Sequence, residues 1–251
     1  MRVHLPFLLV VSALAWLAGC QGGAAGAEPA AHSLPAAAAP DAGERHCTLV
    51  LLKTGPRREP LSDAERSQVF GGHFGNMQRM AREGHLLLAG PYGKDKSDPS
   101  LRGLFVLDTV DPERARKLAE TDPGFKAGVF ALEYHLLATT APLRAFLAAE
   151  LAAQDAATRA GRTQAPGEGG RTYVLLTADD GAAVAKVLAN HPAVLCFARL
   201  DSTRAFVLLD AADAPAARAV LAPLAPNLGT HRLDEWFGSS ALANLPKLAR
   251  S

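Results

Sequence analysis

Hydrophobic and polar residues follow two different spacings between residues 46 and 140. Short apolar runs that end at Gly, Pro or Asp indicate β-strands, whereas apolar residues three and four positions apart indicate an amphipathic helix. The pattern predicts strand, helix, strand, strand, helix, strand over these segments: 47–52, 62–84, 86–89, 104–108, 111–121 and 129–137. This βαββαβ order is typical of the ferredoxin-like fold, an antiparallel sheet with both helices on one face.

The starts of both predicted helices carry capping residues. Ser62 is followed at the third position by Glu65, which is the spacing of a capping box. Asp111 precedes Pro112, an arrangement typical of an N-cap followed by proline in the first helical position. These signals fix where each helix begins.

The same order of elements recurs in residues 171–240. Segment 172–176 repeats the apolar pattern of 48–52, and segment 206–210 repeats that of 105–108. We therefore predict an internal duplication, with a shorter second ferredoxin-like domain. Because the matching segments are short, two unrelated α+β domains are the alternative.

The segments outside the two copies have simpler patterns. Residues 141–170 begin with an Ala-rich amphipathic stretch that predicts a helix over 142–160, and they end in a Gly-containing linker. Residues 20–45 are rich in Ala, Gly and Pro, which predicts a flexible tether. Residues 241–251 are assigned to a C-terminal tail.

The first nineteen residues have the pattern of a secretory signal. Arg2 precedes an apolar run from Leu5 to Leu17 that is short for a membrane-spanning helix. Leu17-Ala18-Gly19-Cys20 resembles a bacterial lipobox, which implies cleavage before Cys20 and lipidation of its thiol. An ordinary cleaved signal or an uncleaved anchor is the alternative. Gln21 follows the cysteine, which by resemblance to enterobacterial lipoproteins favours the periplasmic face of the outer membrane.

Composition and charge narrow the classes of partner. With 49% hydrophobic and 20% charged residues, the 251-residue chain can form one large core or two small ones. Its 26 basic residues nearly balance its 25 acidic residues, and no basic stripe indicates nucleic-acid binding. Cys47 and Cys196 lie in apolar runs, which favours buried free thiols, although a disulfide is the alternative in an oxidising compartment. No residues have metal-ligand spacing, and no cofactor is expected.

Several short motifs between residues 48 and 139 occur in a fixed order. They are His73 with Met77-Gln78-Arg79-Met80 and Gly84, then Leu86-Leu87-Leu88-Ala89-Gly90-Pro91, then Gly103-Leu104-Phe105-Val106-Leu107, and finally Asp122-Pro123 before Ala127-Gly128-Val129. Together they resemble the YCII-related family. The resemblance implies a dimeric α/β-barrel fold, formed here within one chain as a pseudo-dimer, and a catalytic pair at His73 and Asp122. It also implies chemistry like that of relatives that dehydrohalogenate or isomerise ring compounds.

The residue types suit that implied chemistry. Imidazole titrates near neutral pH, and a carboxylate bonded to one ring nitrogen leaves the other free to accept a proton. A histidine on an apolar helix face and an Asp before Pro can also be purely structural. We expect Gly90 and Pro91 to shape a pocket rim, and Tyr92 and Ser97 to offer hydroxyl groups to a ligand.

The second copy has no histidine at the place of His73 and no Asp-Pro at the end of its second helix. We therefore expect it to lack a site. His135 and His231 occupy matching places in the two final strands, which predicts shared packing, with a metal site as the alternative. The sequence thus predicts proton transfer on a small organic molecule at one site. The alternative is a non-catalytic module that binds a small molecule or an envelope partner, and the oligomeric state stays open.

Overall fold

The elements follow the predicted order twice. The computed structural model describes residues 43–162 and 168–249. The first copy contains β1 (Arg45–Thr54), α1 (Asp63–Arg82), β2 (Leu86–Pro91), β3 (Leu101–Leu107), α2 (Pro112–Ala119), α3 (Pro123–Lys126) and β4 (Phe130–Thr139), and α4 (Leu143–Arg159) follows it. The second copy contains β5 (Gly170–Ala178), α5 (Gly181–Leu188), β6 (Val194–Leu200), β7 (Arg204–Leu209), α6 (Ala214–Leu221), α7 (Ala225–Leu228) and β8 (His231–Ser239). A 3₁₀-helix (Ser240–Asn244) and α8 (Leu245–Leu248) come last.

The capping signals act as predicted. The Glu65 carboxylate accepts a hydrogen bond from the backbone N–H of Ser62 at 2.8 Å, while the Ser62 hydroxyl accepts one from the N–H of Glu65 at 3.3 Å. The Asp111 carboxylate accepts from the N–H of Glu113 at 2.9 Å. Each side chain thus pairs backbone groups that the first helical turn leaves without partners.

The eight strands form one antiparallel sheet in the order β2-β3-β1-β4-β6-β7-β5-β8. The two copies join where β4 pairs with β6, Leu137 lying opposite Leu200 and Thr139 opposite Ala198. The two outer strands meet through a β-bridge between Tyr92 and Trp236. The sheet is therefore a nearly closed barrel, which confirms the predicted tandem, barrel-like pseudo-dimer.

Three apolar layers hold the barrel together. The inner layer combines side chains of both copies, including Leu49, Leu104, Tyr173 and Trp236. The two outer layers each lie between one copy's strands and its own helices. The inner faces of the two half-sheets thus pack against each other, as expected of a pseudo-dimer.

The described residues of the predicted C-terminal tail, 241–249, form regular structure instead of an extended tail. The 3₁₀-helix and α8 bring Leu242 and Leu245 into the inner layer, where both are buried. Apolar residues at this spacing cover one end of the barrel, so this segment is part of the core.

The remaining predictions concern the cysteines and the N-terminus. Cys47 and Cys196 are both free thiols, as the apolar runs predicted. The signal peptide at residues 1–19, Cys20, nearly all of the tether and part of the linker lie outside the described residues. Among the helices that are described, none has the length and hydropathy needed to cross a bilayer.

Candidate active site

Helix α1 places His73 against the outer face of the first half-sheet. His73 is 7% exposed, and Met77 and Met80 lie on the same buried face of the helix. The preceding residue, Gly72, allows α1 to approach α3 closely, because a Cβ atom there would lie 2.9 Å from Cγ of Pro123. A larger residue at 72 would push α1 away from α3.

Asp122 is the N-cap of α3 and is fully buried. Its Oδ1 accepts hydrogen bonds from the backbone N–H of Gly124 at 2.8 Å and of Phe125 at 3.3 Å. Pro123 can occupy the first helical position because that position needs no N–H donor. The Asp-Pro sequence therefore starts α3 and points one carboxylate oxygen towards α1.

The two side chains meet between α1 and α3. Nδ1 of His73 lies 2.6 Å from Oδ2 of Asp122. A buried carboxylate needs hydrogen-bond donors to offset the loss of water, and here it has two backbone N–H groups and the imidazole. Because the carboxylate is acceptor-only when ionised, Nδ1 of the imidazole carries the proton in this bond.

The other ring nitrogen, Nε2, is available. Nε2 of His73 has no hydrogen-bond partner among residues 43–162 and 168–249. With the proton of the His73–Asp122 contact on Nδ1, the imidazole presents the Nε2 lone pair with no partner in the described part of the chain. This is the protonation pattern of a general base whose tautomer is fixed by a neighbouring acid.

Four phenylalanine rings surround the imidazole of His73. Phe105 stacks on it with ring centroids 5.9 Å apart and 23° between the planes. Phe74 and Phe130 are tilted at 5.3 Å, and Phe70 meets the edge of the imidazole at 6.4 Å. These rings hold the imidazole in one orientation and make its surroundings apolar.

The four residues predicted to line the pocket, two at its rim and two offering hydroxyl groups, lie away from His73. Tyr92 is buried in the inner layer, and burial raises the pKa of its hydroxyl. Gly90 faces the Trp236 ring, and the Ser97 N–H donates to Oδ1 of Asp234 at 2.5 Å. With Pro91, they build the seam between β2 and β8, so the structure does not group them with His73 as sequence reasoning did.

Sequence reasoning also missed the walls of the site and a second histidine cluster. Phe105 and Phe130 lie on β3 and β4. The alternation of side chains along each strand was the signal that could have predicted that both face α1.

His135 and His231 do not share a packing role. His135 contacts two carboxylates, whereas Nδ1 of His231 lies 2.9 Å from the backbone oxygen of Gly229.

The described residues contain no group of three or more His, Cys, Asp or Glu side chains placed to hold a metal ion. In a comparison with known families, residues 48–138 match the model of the YCII-related domain. That segment runs from within β1 to the penultimate residue of β4 and includes both His73 and Asp122. A search of curated proteins gives no match to the chain.

Proposed function

Because residues 48–138 belong to the YCII-related domain family, we propose that the protein catalyses proton transfer on a small organic molecule at the pair that this domain carries. His73 acts as the general base and Asp122 orients it. The observation that carries the proposal is the 2.6 Å contact between Nδ1 and Oδ2, with Nε2 left unpaired among the described residues.

Each group has a distinct part in the reaction. Nε2 of His73 takes a proton from a C–H or O–H group of the substrate, and the ring becomes an imidazolium ion. The buried carboxylate of Asp122 stabilises that ion and keeps the ring from rotating, because its other oxygen is fixed by two backbone N–H groups. General-base catalysis of this kind contributes on the order of 10²- to 10⁴-fold to a rate.

The aromatic walls indicate the class of substrate. The centroids of four phenylalanine rings lie between 5.3 and 6.4 Å from the centroid of the imidazole. Such surroundings favour a flat, largely apolar molecule over a sugar or a phosphate ester. Proton removal from such a molecule leads to isomerisation or to elimination. His73 and Asp122 supply the base and its orientation without a cofactor, so isomerase, lyase and hydrolase chemistry are the classes proposed.

A non-catalytic binding function is the second candidate. The close packing of the four rings favours it, because it leaves His73 only 7% exposed to solvent. In that case the imidazole would serve as a hydrogen-bonding group at an aromatic site, and the fold would be kept for its shape.

Solvent deuterium exchange into a panel of small ring ketones and halogenated ring compounds tests the catalytic proposal. The wild-type protein should exchange α-protons of at least one compound, and His73→Gln should lower that rate by about 100-fold or more. His85→Gln is a matched control, because His85 lies outside the site, and its rate should be unchanged. Exchange that His73→Gln leaves unaffected would rule His73 out as the base. Saturable binding without exchange would support the second candidate.

The location of the protein is a further part of the proposal. The lipobox-like Leu17-Ala18-Gly19-Cys20 supports lipid attachment at Cys20, with residues 20–45 tethering the barrel at the periplasmic face of the outer membrane. Cys20→Ser should move the protein from the membrane fraction to the soluble fraction. Retention of that variant in the membrane would contradict lipid anchoring.

A further inference from the structure

A cavity of about 160 Å³ lies at one end of the barrel. It opens where β1 begins and β3 and β4 end, and the first turn of α4 borders it. The apolar residues Cys47, Leu87 and Leu143 line the cavity, and we call them its floor; all three belong to the inner apolar layer. His73, by contrast, lies on α1 and packs against the outer face of the sheet. The cavity is therefore separate from the His73–Asp122 pair.

The floor of the cavity is apolar and chemically inert. Cys47, Leu87 and Leu143 are each 3% exposed. Burial raises the pKa of the Cys47 thiol to about 12, so the thiol stays protonated and behaves as a small apolar group. The floor thus suits a hydrocarbon surface.

Among the residues that the structure describes, the rim of the cavity carries one positive charge without an acidic partner. Asp108 is neutralised by Arg144, which donates two hydrogen bonds to it at 2.7 and 2.8 Å. Arg45 continues the inward-facing row of Cys47 and Leu49 on β1. Its guanidinium group has no hydrogen-bond or ion-pair partner in the described part of the chain. The rim also contains His46, whose Nε2 lies 3.5 Å from Oε2 of Glu44. Glu44 in turn forms an ion pair with Arg199.

The first turn of α4 adds to this positive field. The N-cap position is Pro142, whose side chain cannot accept a hydrogen bond, and the first turn contains no acidic residue. The N-terminal N–H groups of this 17-residue helix therefore lack the side-chain acceptor that usually pairs them.

We propose that this cavity binds a small monocarboxylate whose apolar part is the size of one benzene ring. An apolar cavity of about 150 Å³ is known to hold a benzene molecule, and the present volume matches that size. The hydrocarbon part lies on Cys47, Leu87 and Leu143, and the carboxylate lies at the rim against the Arg45 guanidinium. Arginine suits this role because its planar fork matches a carboxylate.

Titration of the ¹⁵N-labelled full-length protein with benzoate tests this proposal. Benzoate should shift the backbone amide signals of residues 45–47, Ala141, Leu143 and Arg144 in a saturable manner. Arg45→Gln should weaken the affinity roughly threefold to tenfold, the effect of one charge-assisted contact near the surface. Ala141→Leu, which fills the cavity, should abolish the shifts.

Three comparisons separate this site from non-specific binding. Arg114→Gln changes an exposed arginine on α2 and should leave the affinity for benzoate unchanged. Benzyl alcohol has the same ring without the charge and should bind at least threefold more weakly. His73→Gln should bind benzoate as the wild type does, so loss of turnover at His73 and loss of this site are distinguishable. Absence of saturable shifts, or equal effects of Arg45→Gln and Arg114→Gln, would overturn the proposal.

Discussion

At the scale of single residues, Asp122 has two tasks that depend on one another. One carboxylate oxygen caps α3, and the other holds the imidazole of His73. Because capping fixes the orientation of the carboxylate, the orientation of the His73 imidazole follows from a local folding signal. A site built in this way needs no additional residue to position the base.

Removal of the Asp122 carboxylate should destabilise the fold. Asp122→Ala leaves the N–H groups of Gly124 and Phe125 and the Nδ1 donor of His73 without a buried acceptor, which should lower the free energy of unfolding by about 3 kcal/mol. Asp122→Asn retains a capping oxygen and should cost about 1 kcal/mol. Urea denaturation measures both values. Equal losses for the two variants would show that the cap contributes nothing.

The sequence predicted both members of the pair but not what surrounds them. His73 and Asp122 came from their place in an ordered set of motifs. The Phe105 and Phe130 contacts depend on which strand lies under α1, and that is decided by sheet order. The seam position of Tyr92 and Ser97 was likewise hidden, because the partner strand β8 lies more than a hundred residues further along the chain.

At the scale of elements, the contact between β4 and the β6–β7 turn links the two copies by charge. Nε2 of His135 lies 2.7 Å from Glu133, and Nδ1 lies 2.7 Å from Asp201. Asp201 also accepts a hydrogen bond from the backbone N–H of Leu136 at 3.0 Å. With both ring nitrogens donating to carboxylates, the imidazolium form of His135 joins the copies.

The stability contributed by His135 should depend on pH. Burial lowers the pKa of His135, but the hydrogen bonds to Asp201 and Glu133 outweigh burial and raise it above 6.5. Because the pKa of His135 is higher in the folded protein than in the unfolded chain, the imidazolium contributes its full stabilisation below about pH 6.5. That stabilisation is lost as the pH rises through the pKa of His135 in the folded protein. His135→Gln should therefore cost about 2 kcal/mol near pH 6 and less at pH 9.

The hydrogen bond between His135 and Glu133 should also weaken in acid. This bond is the main reason that the pKa of Glu133 falls from 4.5 to about 2. Stability from Glu133 is complete above pH 4.5 and is lost as pH falls towards 2. Urea denaturation of wild type and His135→Gln across this range measures the difference. Asp201→Asn removes one of the two carboxylates and should flatten the decline above pH 6.5. A difference that stays constant from pH 6 to pH 9 would contradict the imidazolium assignment.

Most elements were predictable because their start and end signals are local. The helix predicted over 111–121 was extended too far, since Asp122-Pro123 begins a separate helix and α2 ends at Ala119. The sequence predicts a tail after residue 240, because the five residues of the 3₁₀-helix and the four of α8 are too few to show a helical period. Its burial depends on an open end of the barrel that local sequence does not describe.

At the scale of the whole molecule, the barrel closes because two backbones approach each other at glycines. A Cβ atom at Gly90 would overlap the backbone oxygen of Phe237 and lie 2.6 Å from Cζ2 of Trp236. Gly238 lies on the other side of that indole ring and has no room for a side chain either. The sequence predicted two paired copies, but this seam depends on the register between β2 and β8.

Alanine substitutions at two glycines should distinguish closure of the barrel from general helix effects. Gly90→Ala should destabilise the protein by about 1–3 kcal/mol, because β8 must move to make room. Gly75→Ala, on the exposed face of α1 with no atom within 4 Å, should stabilise it by roughly 0.5–1 kcal/mol. Thermal denaturation of both variants provides the comparison. A neutral Gly90→Ala would show that β2 and β8 are not held together in solution.

The proton positions on the imidazole of His73 test the central claim most directly. Two-bond ¹H–¹⁵N NMR spectra should show the neutral ring of the wild type with its proton on Nδ1 and none on Nε2. In Asp122→Asn, the new amide N–H₂ faces Nδ1 while its oxygen caps α3, so the proton should move to Nε2. A wild-type ring protonated on Nε2, or a tautomer that does not respond to Asp122→Asn, would contradict the proposed base.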